Sequence, residues 1–211
     1  MSKTRTFVLT LCAAALGTLG ASSARAGDAD VTHFKIYGGP AYVSPLSNEN
    51  VTFNGVTNSL KGENQVGWNL GIEGRFGKLI GIELDYVNAN QDVDFGGSTI
   101  GDTTFSPLTA TVNFHVIPGN HFDLYLGPSY TWINWGDIDV NVGGSGVTGS
   151  STVGTDSSQG WGVSLGADFS PWKHFAFYAG LKYLNADLEL SNGQSASMNP
   201  LVARLGVAAR F

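Results

Sequence analysis

The chain of 211 residues carries 11 Lys and Arg against 17 Asp and Glu, with 13% charged residues in all and 29 glycines. Sparse, net-acidic charge excludes a nucleic-acid partner, whose affinity would rest on clustered Lys and Arg. The single cysteine, Cys12, falls within the first 26 residues, so the rest of the chain holds neither a disulfide nor a cysteine-ligated metal.

The N-terminal segment reads as a secretory signal. Lys3 and Arg5 precede an apolar run from Phe7 to Leu19, and Ala24-Arg25-Ala26 has the small-x-small form of a cleavage site. The run is too short for a membrane anchor, and Leu11 before Cys12 does not suit lipid attachment. Residues 1–26 are therefore expected to be removed, leaving one domain over 27–211. Setting aside Lys3, Arg5 and Arg25 leaves 8 of the 11 basic residues against 17 acidic ones. No later segment approaches the apolar run of a membrane helix.

Eight alternating segments follow, each with a period of two that predicts a strand with unlike faces. In residues 33–43, Phe34, Ile36 and Tyr42 oppose Lys35, Tyr37 and Gly39. In 66–76, Val66, Trp68, Leu70, Ile72 and Phe76 oppose Asn69, Glu73 and Arg75. In 79–89, Ile80, Ile82, Leu84 and Tyr86 oppose Glu83 and Asp85. In 105–116, Leu108, Ala110, Val112 and Phe114 oppose Thr109, Thr111, Asn113 and His115. In 122–135, Leu124, Leu126, Tyr130 and Trp132 oppose Asp123, Tyr125, Ser129 and Thr131. In 159–169, Trp161, Val163, Leu165 and Phe169 oppose Ser164 and Asp168. In 174–186, Phe175, Phe177, Leu181 and Tyr183 oppose Lys182. In 199–211, Leu201, Leu205, Val207 and Phe211 oppose Arg204 and Arg210.

The connections alternate: 77–78, 118–121 and 170–173 are short, whereas 44–64, 90–104, 136–158 and 187–198 are long. Alternation puts every long loop at one end of an up-and-down meander, and eight antiparallel strands can close into a small barrel. A soluble barrel would have to bury the charged face, and burying unpaired charge is costly. In a membrane barrel the charges pair across the lumen and the apolar face meets lipid. Strands of about 10–11 residues, tilted by roughly 40°, span a bilayer's apolar core. The outward aromatics sort accordingly. Phe34, Phe76, Phe114, Phe122, Phe169, Phe175 and Phe211 gather at the short-turn end, and Tyr42, Trp68, Tyr86, Trp132, Trp161 and Tyr183 at the long-loop end. Two girdles of this kind mark two membrane–water interfaces.

Strand direction assigns heights to the inward residues. Val87, Phe105, Ile133, Trp135, Leu184 and Val202, with Val43 and Ala186, fall near the long loops and form a candidate ligand channel. Lys35, Glu73, Arg75, Glu83, Asp85, Asp168, Lys182, Arg204 and Arg210 fall near the short turns, with Tyr37, Asn113 and His115, and form a candidate charge network. Eight strands leave a lumen that side chains can fill, so a paired network would seal the floor. Pro40 and Pro128 interrupt predicted strands and each removes a ladder donor, which suits a bulge or a weak point in the wall. Glu49, Glu63, Asp92, Asp94, Asp102, Asp137, Asp139, Asp156, Asp187 and Glu189 lie in or beside the long loops, opposed only by Lys61. They suit a solvated acidic surface, or divalent ions shared with lipopolysaccharide phosphates. All four histidines, His33, His115, His121 and His174, map to the short-turn end, so no Ser/His/Asp set assembles at the mouth. No catalytic residue, cofactor or dedicated metal site is expected.

The ending RLGVAARF, with Phe211 terminal on an alternating strand, resembles the C-terminal assembly signal of Gram-negative outer-membrane barrels. Together with YGGPAYVSPLS, SPLTATVNFHVIPGNHFDLYLGPSYTWINW and NPLVARLGVAARF, it makes the chain resemble the OmpW family of eight-stranded outer-membrane proteins. The resemblance implies periplasmic turns and extracellular loops. It also implies passage of small hydrophobic compounds by a channel leading laterally into the bilayer. Expected partners are outer-membrane lipid and lipopolysaccharide, small hydrophobic solutes and the assembly machinery. The other reading is a closed structural barrel whose acidic loops bind surfaces, without transport.

Overall fold

A computed structural model describes residues 31–47, 49–53, 56–95, 98–136, 138–142, 149–153, 155–190, 195–197 and 199–211. The expected signal segment, 1–26, and Asp137 lie outside the described residues. Eight long strands form the wall: β1 Val31–Pro45, β2 Gln65–Phe76, β3 Ile80–Phe95, β4 Ser98–Ile117, β5 Phe122–Trp135, β6 Ser158–Trp172, β7 Phe175–Asn185 and β8 Pro200–Arg210. Each pairs with its sequence neighbours, and β1 pairs with β8, so the meander closes into an antiparallel barrel. Closure leaves the wall no edge to recruit another chain. Phe34 and Phe211 complete the seam, each N–H donating to the other's carbonyl, at 3.2 and 2.9 Å.

The short connections fall where expected but not all with the expected bounds: they are 77–79, 118–121 and 173–174, because β6 runs on through Trp172, which pairs with Phe175. Gly77 takes φ +64° in the β2–β3 turn, a left-handed conformation that glycine adopts without strain. The long connections differ from expectation. Residues 90–104 are largely strand: β3 and β4 stay paired up to Phe95 and Ser98. Glu49–Phe53 and Val56–Gly62 form a hairpin docked on the top of β3, and Ile138–Val142 with Gly149–Val153 form another docked on β4. Once two strands are in register, each further pair adds hydrogen bonds without a new loop closure, so polar sequence can extend a ladder beyond the point where apolar alternation stops.

The faces are those read from the alternation. Along β5, exposed and buried residues alternate over nearly the whole strand. Leu70, Ile82, Leu126, Leu165, Leu181 and Leu205 point outward, and the nine residues of the expected charge network point inward, none more than 8% exposed. Every outward girdle aromatic named above is exposed or half-buried. Trp172, 65% exposed and 5.7 Å from the Phe175 ring, joins the phenylalanine ring, so the two girdles are not separated strictly by residue type.

Candidate functional site

The lower lumen holds two linked ion-pair clusters. In the first, Lys35 Nζ lies 2.6 Å from Glu73 and 2.9 Å from Asp168. Tyr125 Oη donates to Asp168 at 3.2 Å, and Lys35 stands 4.6 Å from the Tyr125 ring centre. His115 reaches Glu73 through Nε2 and Asp123 through Nδ1, both at 2.9 Å, and Arg75 pairs with Asp123. In the second, Lys182 pairs with Glu83 and Asp85, and Arg204 Nη1 contacts the same two carboxylates at 3.2 and 3.0 Å. Asn113 ties the clusters together, donating to Glu73 at 3.4 Å and Glu83 at 3.2 Å. Such charge-assisted bonds are strong where water is excluded, and they offset part of the cost of burying the ions.

Of the nine expected members, eight are brought into ion pairs. Arg210 is buried beside them, but its guanidinium donates to Ser170 Oγ rather than to a carboxylate among the described residues. Asp123 and Tyr125 were not expected at the floor and belong to it, and His115, expected beside the nine, joins Glu73 and Asp123 there. All three lie on the polar face of their strands near the β4–β5 turn, and that is the signal that places them at the floor. Two tyrosine rings also fill the floor, Tyr37 against Tyr178 at 4.7 Å between centres. A Cβ at Gly71 would lie 2.3 Å from the Tyr37 ring, and one at Gly166 would lie 2.2 Å from the Tyr125 ring. Those two glycines are therefore the space into which the rings pack.

Above the floor runs a hydroxyl layer, with Thr109 and Thr131 hydrogen-bonded at 3.0 Å and Thr111 receiving Lys182 at 3.2 Å. Above that the lining is apolar. Val87, Phe105, Ile133, Trp135, Leu184 and Val202 all face inward at 0–4% exposure. Phe105 and Trp135 pack with ring centres 5.0 Å apart, and Trp135 Nε1 donates to Ser158 Oγ at 3.0 Å.

Neither Pro40 nor Pro128 makes a bulge. Pairing lapses between Gly38↔Val207 and Ala41↔Arg204, and between Thr111↔Ser129 and Phe114↔Leu126, yet the register is unchanged across each gap. Sequence reading missed a third such position. Pro107 leaves the β3–β4 ladder unpaired between Tyr86↔Leu108 and Ala89↔Phe105. That gap adjoins Val87 and Phe105. Among the loop acids, Asp92 accepts from Gln65 at 3.1 Å, and the backbones of Asp92, Asp102 and Asp139 stand side by side across three strands.

The family model described as outer membrane protein beta-barrel domain matches residues 11–211. The chain belongs to that family. This barrel is thus an outer-membrane protein of a Gram-negative bacterium, set in lipid and lipopolysaccharide, and the eight-stranded antiparallel architecture expected from its sequence is the one it has. It is similar to OprG of Pseudomonas aeruginosa, at 21% identity over 85% of this chain and 95% of that one, with a TM-score of 0.73. AlkL, whose structure was determined in DMPC lipid bilayers, is 10% identical over 89% of this chain and 94% of its own, with a TM-score of 0.59. Neisserial surface protein A is 15% identical over 84% and 96%, with a TM-score of 0.53. At these identities the likeness is one of fold. No curated protein matches the chain.

Proposed function

We propose that this barrel passes small apolar molecules from outside the cell into the outer membrane. A solute enters the apolar upper lumen at Val87, Phe105, Ile133, Trp135, Leu184 and Val202, is stopped by the ionic floor, and leaves sideways into the bilayer. The observation that supports this most is the vertical order, apolar lining above a paired floor, with the unpaired β3–β4 stretch at Pro107 beside Val87 and Phe105. Apolar surface buried in the mouth is worth about 25 cal/mol per Å², and the floor gives an uncharged solute no axial route. Asn88 Nδ2 bridges the Pro107 gap to Ser106 Oγ at 2.8 Å, one side-chain bond where ladder bonds are missing. No catalytic step belongs to this reading. Residues 1–26 leave as the export signal, and Phe211 presents the strand to the assembly machinery.

The close packing of Phe105 on Trp135 favours the second reading, a closed structural barrel whose acidic loops bind surfaces. Uptake of n-dodecane by cells making the barrel, against cells lacking it, separates the two. Protein-dependent uptake is expected, and equal uptake would favour the closed barrel.

A further inference from the structure

The three proline gaps are not alike. At Pro40 the freed backbone is braced: Asn69 Nδ2 donates to the carbonyls of Gly39 and Pro40 at 3.0 and 3.1 Å, and Tyr178 Oη holds Asn69 in turn. At Pro107 the Asn88–Ser106 bond crosses the gap. At Pro128 no side-chain hydrogen bond among the described residues joins Val112 or Asn113 of β4 to Pro128 or Gly127 of β5; the Thr109–Thr131 bond lies above this gap and the His115–Asp123 contact below it. The β5–β6 ladder is intact through Pro128↔Val163, so the weakness is confined to one seam.

Both sides of that seam are unusual. Four buried side-chain atoms among the described residues have no hydrogen-bond partner, and three of them flank it: Asn113 Oδ1, Ser129 Oγ and Ser164 Oγ. Asn113 and Gly127 are one of the unpaired facing positions, Ser129 follows Pro128, and Ser164 pairs with Gly127. Buried polar groups are usually satisfied, so three orphans at one place point to a group they receive. Asn113 already donates through Nδ2 to Glu73 and Glu83, which leaves its oxygen as an acceptor. On the lipid side, Phe114, Leu126, Pro128, Val163, Leu181 and Tyr183 help line a groove of about 450 Å³. That lies within the roughly 300–1,000 Å³ typical of small-molecule sites. The seam also connects upward. A Cβ on Gly162 would meet both Leu184 Cδ2 and Ser129 Oγ at 2.9 Å, so the apolar mouth and the orphan hydroxyl adjoin there.

We propose that the β4–β5 seam at Pro128 is a second lateral port, selective for uncharged amphiphiles with an alkyl chain and one hydroxyl. The hydroxyl donates to Asn113 Oδ1 and exchanges hydrogen bonds with Ser129 and Ser164. The alkyl chain passes to the outer groove, which faces the bilayer. The port rests on the transport reading and adds to it a substrate class and an exit distinct from the Pro107 gap.

The test uses a reversible staple. Ala110 and Tyr130 are a facing pair just above the gap, and Ala110→Cys with Tyr130→Cys leaves Pro128, the orphan groups and the groove lining in place. Cells making this variant are given 1-dodecanol or n-dodecane, with the staple oxidised and then reduced. Oxidation is expected to slow dodecanol uptake and leave dodecane uptake unchanged. Dodecanol uptake indifferent to the staple, with dodecane uptake still protein-dependent, overturns the port alone. No protein-dependent uptake of either overturns the transport reading and the port with it. In the Ser129→Ala, Ser164→Ala variant, the advantage of dodecanol over dodecane is expected to fall about fivefold, as loss of one net hydrogen bond implies. An undiminished advantage overturns the assigned role of the hydroxyls.

Discussion

The floor and the mouth of this barrel are built from the same strands and the same inward positions, yet they are held by different physics. At the floor, Glu83 is satisfied only because Lys182, Arg204 and Asn113 arrive at one point from β7, β8 and β4. At the mouth, Val87, Leu184 and Val202 need only fill space. Directional, charged contacts tolerate little change, because removing one partner strands another charge away from water. Apolar packing is non-directional, and a side chain there can change or move without leaving an ion unpaired. An ion-paired base beneath an apolar top is the result.

The sharpest way to break the comparison is to remove a shared carboxylate. Glu83→Ala is expected to destabilise the barrel by about 3–5 kcal/mol, since Lys182 and Arg204 lose a common partner. Urea unfolding in lipid vesicles measures this, and a change below about 1 kcal/mol would mean the floor is not a coupled network. In planar bilayers the intact barrel is expected to show little stable conductance. High, steady conductance would contradict the seal.

The assignment of faces comes next. Leu70→Arg or Leu205→Arg places a charge on the lipid side, where Leu205 is 60% exposed, and should cost about 2–4 kcal/mol near mid-bilayer. Unchanged stability in both variants would reverse the two faces. In the mouth, Leu184→Asp or Val87→Asp should still assemble, as judged by different gel migration before and after boiling, but should lose uptake of small apolar compounds. Uptake that persists in both variants would remove the mouth from the route. The smallest effect is expected for Trp135→Phe. It deletes the bond to Ser158 and keeps most of the ring packing, for a loss of about 0.5–1.5 kcal/mol.

Much of this architecture is legible in sequence because a strand has a period of two. Once Glu73 and Arg75 alternate with Ile72 and Phe76, their sides follow without knowledge of any neighbour. Strand direction then places Leu184 high and Lys182 lower. The extended ladders at residues 90–104 were not legible, since their pairing comes from register carried up from the apolar part of β3 and β4 rather than from hydrophobic alternation.

The chain by itself determined the fold, the two faces, the girdles and which residues are available to floor and mouth, because each is a property of local alternation along one strand. Tertiary structure decided the partners. Arg75 meets Asp123 and His115 rather than a carboxylate on its own hairpin, and Arg210 meets Ser170. Those outcomes depend on how far each strand is staggered around the closed wall, which no single strand encodes. The prolines divide in the same way. Their missing N–H groups are plain in the sequence, but only the register shows that Pro107 opens toward β3, Pro128 toward β4 and Pro40 toward β8. Whether a neighbouring side chain then crosses the gap is a matter of contact in three dimensions.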